Sequence, residues 1–308
     1  MSIKLKRVNG LSHLNINQFS NMTYPLLSSN SEIWKKVNHQ NLTLCATNKD
    51  KIIGLAIASR TFSDQYLRLI SLKIDPSFRR KGIGTKIINK MSEISINELK
   101  KPLFVKYIAE SNTESIFEAF LKKLNWSRPY CEFIIGKAHI NELRGINWSE
   151  RFPIKNPYRI KSLFEIDDIK EKEFLTKYSL QNSLSNINYL EIERNISLIL
   201  LYKNTIVGWI LAHKKTNDSI RYTNLFVESI HRKGAKGMVL ISESINRQNR
   251  LSYIYSTAGV YSKNTQMLKI VNKRLINLCQ QKREIRISFN NTIQKRKLRI
   301  YKIMFTNI

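Results

Sequence analysis

Cysteine is scarce in this chain, and so are the patterns that metal sites and membrane spans require. Three cysteines and five histidines stand among 308 residues, and neither set has paired spacing. Their dispersal excludes a disulfide framework and a zinc site, and it is typical of a reducing compartment. No run of about 18 apolar residues occurs, and the basic N-terminus lacks the apolar segment of a signal peptide. We therefore expect a cytoplasmic protein without a metal or a membrane span.

Acidic residues are also few. There are 23 Asp and Glu against 52 Lys and Arg, which gives a formal net charge of +29 spread along the whole chain. Such a field attracts polyanions and says nothing about the fold. Two interpretations stay open, namely an acidic partner such as RNA, DNA or an acidic peptide, and a basic surface that serves solubility.

Two of the ten glycines lie in a basic turn between a predicted strand at 66–74 and a predicted helix from Gly84 to about Ser95. The first N–H groups of a helix lack intrahelical partners, and the helix dipole favours an anion beside them. Gly82 and Gly84 remove the Cβ atoms that would keep a phosphate away. The turn, residues 75–85, is called the first basic loop. It predicts a pyrophosphate cradle, and a basic helix start without a ligand is the alternative.

The same residues carry a family resemblance. A strand, Asp75-Pro76, an aromatic residue and Arg79-x-x-Gly82-x-Gly84 before an apolar helix resemble the acyl-CoA-binding motif of the GNAT superfamily of N-acyltransferases. The resemblance implies an α/β fold in which a mostly antiparallel mixed sheet is flanked by helices. It implies an acyl-CoA co-substrate, acetyl or longer, whose pyrophosphate lies on the loop backbone while the pantetheine arm pairs with the edge of the preceding strand. The residues implied to bind acyl-CoA are Leu72, Ile74, Arg79, Arg80, Lys81, Gly82, Ile83, Gly84, Thr85 and Asn112.

The catalytic residues follow the family pattern less closely. In the family a Tyr often acts as the general acid for the leaving thiolate, and its position falls on Leu121 here. Glu110 and Tyr107, at the end of and within the strand predicted to begin at Leu103, are the candidates for the general base. Asn112 matches a common Asn of the family and also serves as a helix N-cap, and Ser111 with Glu114 fits a capping box. Residues of the second half could act instead, and the candidates there are Glu191, Glu193 and Tyr261.

The chain contains an internal repeat. Gly208 corresponds to Gly54 at an offset of 154 residues, and Asn264 corresponds to Asn112 at an offset of 152. The segment 225–234 corresponds to 72–82 with one residue fewer. Similar offsets at three places predict a tandem duplication. We therefore predict two tandem GNAT-like domains, at 1–140 and 158–308, joined by a linker at 141–157.

The two repeats differ at the loop. The sequence alignment sets His231, Gly234 and Lys236 against Arg79, Gly82 and Gly84. A long side chain in place of the last glycine predicts that the second domain is degenerate and that only the first binds acyl-CoA. A working second cradle that uses Gly234 and Gly237 in a shifted register is the alternative.

These observations lead to a functional hypothesis. We expect an acyl-CoA-dependent N-acyltransferase that acylates a primary amine on a peptide or protein of acidic character. A small-molecule amine acetyltransferase is one alternative. A non-catalytic protein that binds nucleic acid or an acidic protein on a duplicated GNAT scaffold is the other.

Overall fold

The computed structural model describes residues 3–8, 22, 41–49, 51–60, 65–111, 114–181 and 191–290. These residues form two compact units. The first unit is drawn from Met1–Glu132 and Ile285–Ile308, and the second is Phe133–Glu284. The domain boundaries predicted from the repeat stay a prediction.

The first unit is a mostly antiparallel sheet with helices packed on it. Its strands, in the order in which they lie, are β1 (Ile3–Arg7), β2 (Asn41–Asn48), β3 (Lys51–Arg60), β4 (Leu67–Ile74) and β5 (Leu103–Glu110), followed by Ile285–Phe289. Its helices are α1 (Ile83–Asn97) and α2 (Ile116–Lys123). Neighbouring strands from β1 to β4 are antiparallel, and β4 and β5 are parallel. The α/β fold class implied by the resemblance is confirmed.

Helix α1 is held by its apolar face. Ile83, Ile87, Ile88 and Met91 recur at helical spacing and are buried in one core cluster with residues of β2 to β5. Full burial of an aliphatic side chain of this size contributes about 1.5–3 kcal/mol. The first turn of α1 is thereby fixed on the sheet at the end of β4.

The second unit repeats this arrangement. Its elements in chain order are β6 (Tyr130–His139, from Phe133 on), α3 (Ile140–Leu143), α4 (Trp148–Arg151), β7 (Tyr158–Ser162), α5 (Asp168–Gln181), β8 (Leu198–Tyr202), β9 (Thr205–Thr216), β10 (Ser219–Val227), α6 (Lys236–Gln248), β11 (Tyr255–Tyr261), α7 (Thr265–Ile270) and β12 (Gln281–Phe289, up to Glu284). Its strands lie in the order β6-β11-β10-β9-β8-β7. The pair β10 and β11 is parallel, like β4 and β5.

The repeats exchange one strand. Phe133–His139 follows the first repeat in sequence and pairs with β11 of the second unit. Ile285–Phe289 follows the second repeat and lies beside β5 of the first unit. The sheet of the first unit is therefore completed by a segment from the far end of the sequence.

Backbone irregularities confirm the duplication. The register of β3 against β4 shifts so that Ile70 bulges, and the register of β9 against β10 shifts so that Thr223 bulges. These two positions differ by 153. Gly54 and Gly208 are also equivalent. A Cβ on Gly54 would lie 2.8 Å from Ile74 Cδ1, and a Cβ on Gly208 would lie 2.7 Å from the carbonyl oxygen of Phe226. Both repeats thus use a bulge and a close glycine contact at the same places in the sheet.

Among the helices in the described ranges, none has the length and hydropathy that a membrane span needs.

Candidate functional site

The first basic loop begins with a fixed turn. Pro76–Phe78 forms a 3-10 turn, and the carboxylate of Asp75 accepts hydrogen bonds from the hydroxyl and the N–H of Ser77, at 2.6 and 2.9 Å. These bonds, together with Lys51, hold the pKa of Asp75 below its usual value. The proline presets the backbone angle of the turn, so the chain leaves β4 in one defined direction.

The loop ends in an uncapped helix start. Gly82 is the N-cap of α1 with φ of +76°, and no side chain caps the helix. The first backbone bond of α1 joins the Lys86 N–H to the Gly82 carbonyl at 3.0 Å. The N–H groups of Ile83, Gly84 and Thr85 are therefore left without intrahelical partners. These three donors, at the positive end of the helix dipole, suit an anion.

The two loop glycines differ in what they do. A Cβ on Gly82 would meet no heavy atom within 4 Å. Gly82 is required by its left-handed backbone, and the space beside it is open. A Cβ on Gly84 would lie 3.6 Å from Phe120 Cζ and 3.8 Å from Ile74 Cγ1, which are ordinary contacts. Packing of the chain itself therefore does not demand a glycine at position 84.

Four cationic side chains lie in or next to the first basic loop. The Nε of Arg79 donates to the carbonyl of Ile74 at 3.2 Å, and the ammonium of Lys81 donates to the carbonyl of Ser77 at 3.1 Å. Arg80 and Lys86 are exposed. Arg79 and Lys81 thus fasten the loop to the turn and strand before it, while Arg80 and Lys86 add positive charge at the surface.

A cleft runs from the loop into the sheet. Strands β4 and β5 pair over Leu67–Leu69 and Leu103–Val105 only, although β4 continues to Ile74 and β5 to Glu110. The N–H of Asp75 donates to Ile53 of β3 at 2.9 Å. Because alternate residues direct their backbone groups to opposite edges, Leu72 and Ile74 direct theirs into the cleft. An extended ligand could pair with this strand edge.

A polar network fastens β5 to α2 and to Ile285–Phe289, the strand that lies beside β5 on the edge away from β4. The Tyr107 hydroxyl donates to Glu118 Oε1 at 2.7 Å, and Arg286 Nη1 donates to both oxygens of Glu118 at 2.8 and 3.0 Å. Arg286 Nη2 also donates to the carbonyl oxygen of Glu110 at 3.1 Å. Burial and the neighbouring Glu118 carboxylate raise the pKa of Tyr107, so its phenol keeps its proton. Sequence reasoning missed this network, because Arg286 is 168 residues from Glu118.

The predicted site residues fall into three groups. The predicted residues between Leu72 and Thr85 form the edge of β4 and the first basic loop, as described above. Tyr107 and Glu110 lie on β5, with Tyr107 bonded to Glu118 and the Glu110 side chain exposed. Asn112 lies outside the described residues. The roles assigned to all of them stay predictions.

One local expectation for α2 needs correction. The capping box is formed by Ser115 and Glu118, not by Ser111 and Glu114, because α2 begins at Ile116 and Glu118 occupies its third position. The sequence Ser-x-x-Glu at this position was a usable signal. Leu121, at the position of the family's Tyr, is 1% exposed and belongs to the core.

The alignment of the second loop was also wrong. We call residues 228–238 the second basic loop. Its helix α6 begins at Lys236 with Ala235 as N-cap, and Arg232 Nε donates to the carbonyl of Val227 at 2.8 Å. This is the bond that Arg79 makes to Ile74 in the first basic loop. No residue is missing from the second loop.

The corrected equivalence changes which glycine is lost. At an offset of 153, Arg232, Ala235 and Gly237 correspond to Arg79, Gly82 and Gly84. The second repeat therefore keeps the arginine and the last glycine and has alanine at the N-cap, where φ is +57°. The sequence alignment failed because it treated Gly234 as the partner of Gly82.

Side chains of the second loop bond within the loop and contact β7. The ammonium of Lys236 donates to the carbonyl of Lys233 at 2.5 Å and lies 4.3 Å from the centroid of the Tyr158 ring. The Tyr158 hydroxyl and His231 Nδ1 are 2.9 Å apart. In the first loop the position equivalent to Lys236 is Ile83, whose side chain is buried in the core.

The uncapped helix start and the open strand edge make the first unit a candidate binding domain for an extended ligand that ends in a phosphate. Comparison with known proteins agrees. Residues 11–124 match the acetyltransferase (GNAT) family model. The matched part of the chain is therefore similar to a GNAT acetyltransferase domain.

Solved structures of low sequence identity share the fold. A tandem GNAT protein from the clavulanic acid biosynthesis pathway is 10% identical, with a TM-score of 0.56 over 93% of this chain and 98% of that chain. A GCN5-related N-acetyltransferase from Sphaerobacter thermophilus is 9% identical, with a TM-score of 0.54 over 93% and 95%. A probable N-acyltransferase from Enterococcus faecalis is 10% identical, with a TM-score of 0.51 over 94% and 72%. The search of curated proteins found no match.

The donor set suits an acyl-CoA. The free N–H groups at 83–85 and the cations around them fit a diphosphate, and the edge of β4 fits an amide-bearing arm. Within the described ranges, no group of three or more His, Cys, Asp or Glu residues could hold a metal ion.

Proposed function

We propose that this protein is an acyl-CoA-dependent N-acyltransferase whose first unit holds the co-substrate. The observation that carries the proposal is the helix start at Ile83, where three uncapped N–H groups face the open space beside Gly82. The same residues lie at the mouth of the cleft between β4 and β5. A basic helix start without a ligand would not need the open strand edge as well.

Each residue has a stated part in this proposal. The N–H groups of residues 83–85 bind the diphosphate, with Arg80 and Lys86 adding charge. The backbone of Leu72 and Ile74 orients the arm along β4. Bound acyl-CoA supplies the thioester whose acyl group passes to the amine.

Glu110 fits proton uptake from the amine better than Tyr107 does. Its side chain is exposed at the end of β5, whereas the Tyr107 phenol has a raised pKa and donates its proton towards Glu118. A group that removes a proton near neutral pH must itself be deprotonated there. We therefore assign the base to Glu110 and a holding role to Tyr107.

The acceptor in this proposal carries acidic groups near its amine. Leu72 and Ile74 pack in the core cluster of α1, so Lys73 between them lies on the opposite face of the sheet, across from Leu55. Lys106 of β5 lies on that face too, in an ion pair with Glu132. These cations beside the cleft and the net charge of +29 support an acidic peptide or protein over a neutral small molecule. The proposal places the reaction in the cytoplasm.

Two measurements test the function. Isothermal titration with CoA and acetyl-CoA is expected to show binding to the intact protein. Release of CoA from acetyl-CoA is expected to rise on addition of acidic lysine-containing peptides and not with neutral ones of the same length. Absence of binding to both nucleotides would contradict the enzyme and leave the second candidate, a nucleic-acid-binding protein, which salt-dependent retention on single-stranded RNA would reveal.

A further inference from the structure

Arg286 makes a set of bonds that no other described residue duplicates in the first unit. It comes from the exchanged strand Ile285–Phe289, and its guanidinium holds a helix residue, Glu118, and the last carbonyl of β5, that of Glu110. The side chains of Arg286 and Glu118 are 12% and 6% exposed. Arg286 thus joins three elements at one side of the cleft.

Glu118 is the only charged residue among the described residues that is buried. Burial alone would raise its pKa, but the bonds from Tyr107, Arg286 and the Ser115 N–H outweigh burial and hold the pKa below its usual value. A buried carboxylate that stays ionised needs its cation, and loss of the cation leaves an uncompensated charge. The position of the Tyr107 hydroxyl, 2.7 Å from Glu118, depends in turn on that carboxylate.

We propose that Arg286 is a positioning residue for the cleft between β4 and β5. By fixing Glu118 and the Glu110 carbonyl, it holds β5 at the separation from β4 that admits the arm of the co-substrate. The loop that binds the diphosphate is formed by residues 75–85, whereas the bonds described for Arg286 end on Glu118 and on the Glu110 carbonyl. The inference rests on the proposed function, because it concerns the same co-substrate.

The second unit offers a matched control. Arg194 donates to both oxygens of Glu171 at 2.7 and 2.9 Å and to the carbonyl of Leu163 at 2.9 Å. This is the same bond pattern, a guanidinium between a helix carboxylate and a backbone carbonyl. Replacing Arg194 therefore reproduces the loss of an ion pair without touching the first cleft.

The test compares two probes that share a diphosphate. ADP reaches only the loop, whereas CoA also places its pantetheine arm in the cleft. For Arg286→Met we expect about a tenfold weaker CoA affinity, equivalent to about 1.4 kcal/mol, and an ADP affinity within about twofold of wild type. Arg286→Lys keeps the positive charge but loses the guanidinium that bonds two partners at once. Its CoA affinity is therefore expected to lie between those of wild type and Arg286→Met. For Arg194→Met we expect both affinities to stay at wild-type values while Tm falls.

Each outcome is decisive. A CoA affinity of Arg286→Met that is unchanged, or that falls by the same factor as the ADP affinity, would overturn the positioning role while leaving the proposed function intact. If the wild-type protein binds neither probe, the proposed function falls and the positioning role falls with it. Should Arg286→Met fail to fold, the double variant Glu118→Gln/Arg286→Met removes both charges together, and the same selective loss of CoA affinity is expected from it.

Discussion

The two basic loops share an arginine anchor and a left-handed N-cap, and they differ in their chemistry. Each loop follows a strand that has a parallel neighbour, β4 or β10. In each, an arginine donates to the last carbonyl of that strand, and a helix starts from a left-handed N-cap. The first has Gly82 at the N-cap and open space beside it, whereas the second has Ala235 there and the ammonium of Lys236 on the loop. The duplicated frame is thus kept while the N-cap residue and the side chain after it differ between the copies.

The largest expected effect separates the loops at their last glycine. Gly84→Glu places a carboxylate beside the free N–H groups, where it repels and competes with a diphosphate. We expect CoA affinity to fall by more than about a hundredfold, equivalent to about 2.7 kcal/mol, in isothermal titration. Gly237→Glu is the matched change in the second loop and is expected to leave CoA affinity as it is. An equal loss from both changes would erase the distinction between the loops.

The second prediction exchanges the N-caps. Gly82→Ala gives the first loop the residue of the second, adds a methyl group in the open space and costs about 1 kcal/mol of backbone strain. We expect about a tenfold weaker CoA affinity from it. Ala235→Gly relieves the strain in the second loop and is expected to raise Tm by about 2 °C. A stronger CoA affinity after Gly82→Ala would show that the open space is not used.

The third prediction concerns the shared arginine. Arg79→Met removes the bond that fastens the first loop to Ile74, together with one charge. We expect about a fivefold loss of CoA affinity, equivalent to about 1 kcal/mol. Arg232→Met breaks the same bond in the second loop, and titration is expected to give the wild-type affinity. A loss from Arg232→Met would place the co-substrate in the second loop as well.

The smallest expected effect is a pH dependence of stability that arises from Glu118 in the first unit. The pKa of Glu118 is lowered in the folded protein, so its stabilisation is complete above the unfolded value of about 4.3. It is lost as the pH falls through the folded pKa. Glu118→Gln removes this term, and its Tm is expected to fall less steeply than that of wild type below about pH 4. Parallel melting curves for the two proteins would contradict the assignment.

Local pattern was enough to predict much of the fold and of the first loop. The apolar spacing after Gly82 predicts α1 to within one residue of its start, because an amphipathic helix is specified by its own sequence. The strand predicted at 66–74 is confirmed in the same way as β4 (Leu67–Ile74). The duplication was readable because a glycine under a close contact, as at Gly54 and Gly208, resists change.

What the sequence did not predict depends on distance or on register. The strand exchange sets Arg286 beside Glu118, and nothing near either residue in the sequence announces the other. The equivalence of Ala235 and Gly82 was missed because the shared glycine suggested Gly234 instead. In the structure, the end of β10 and the bond from Arg232 set where α6 begins. The sequence likewise does not announce the bond from the Tyr107 hydroxyl to Glu118, which lies on a different element.

The most direct test of the account is a crystal structure of the intact protein grown with CoA. The account predicts one nucleotide per chain, with its diphosphate on the N–H groups of residues 83–85 and its arm along β4. A nucleotide in the second basic loop, or one in each loop, would contradict it.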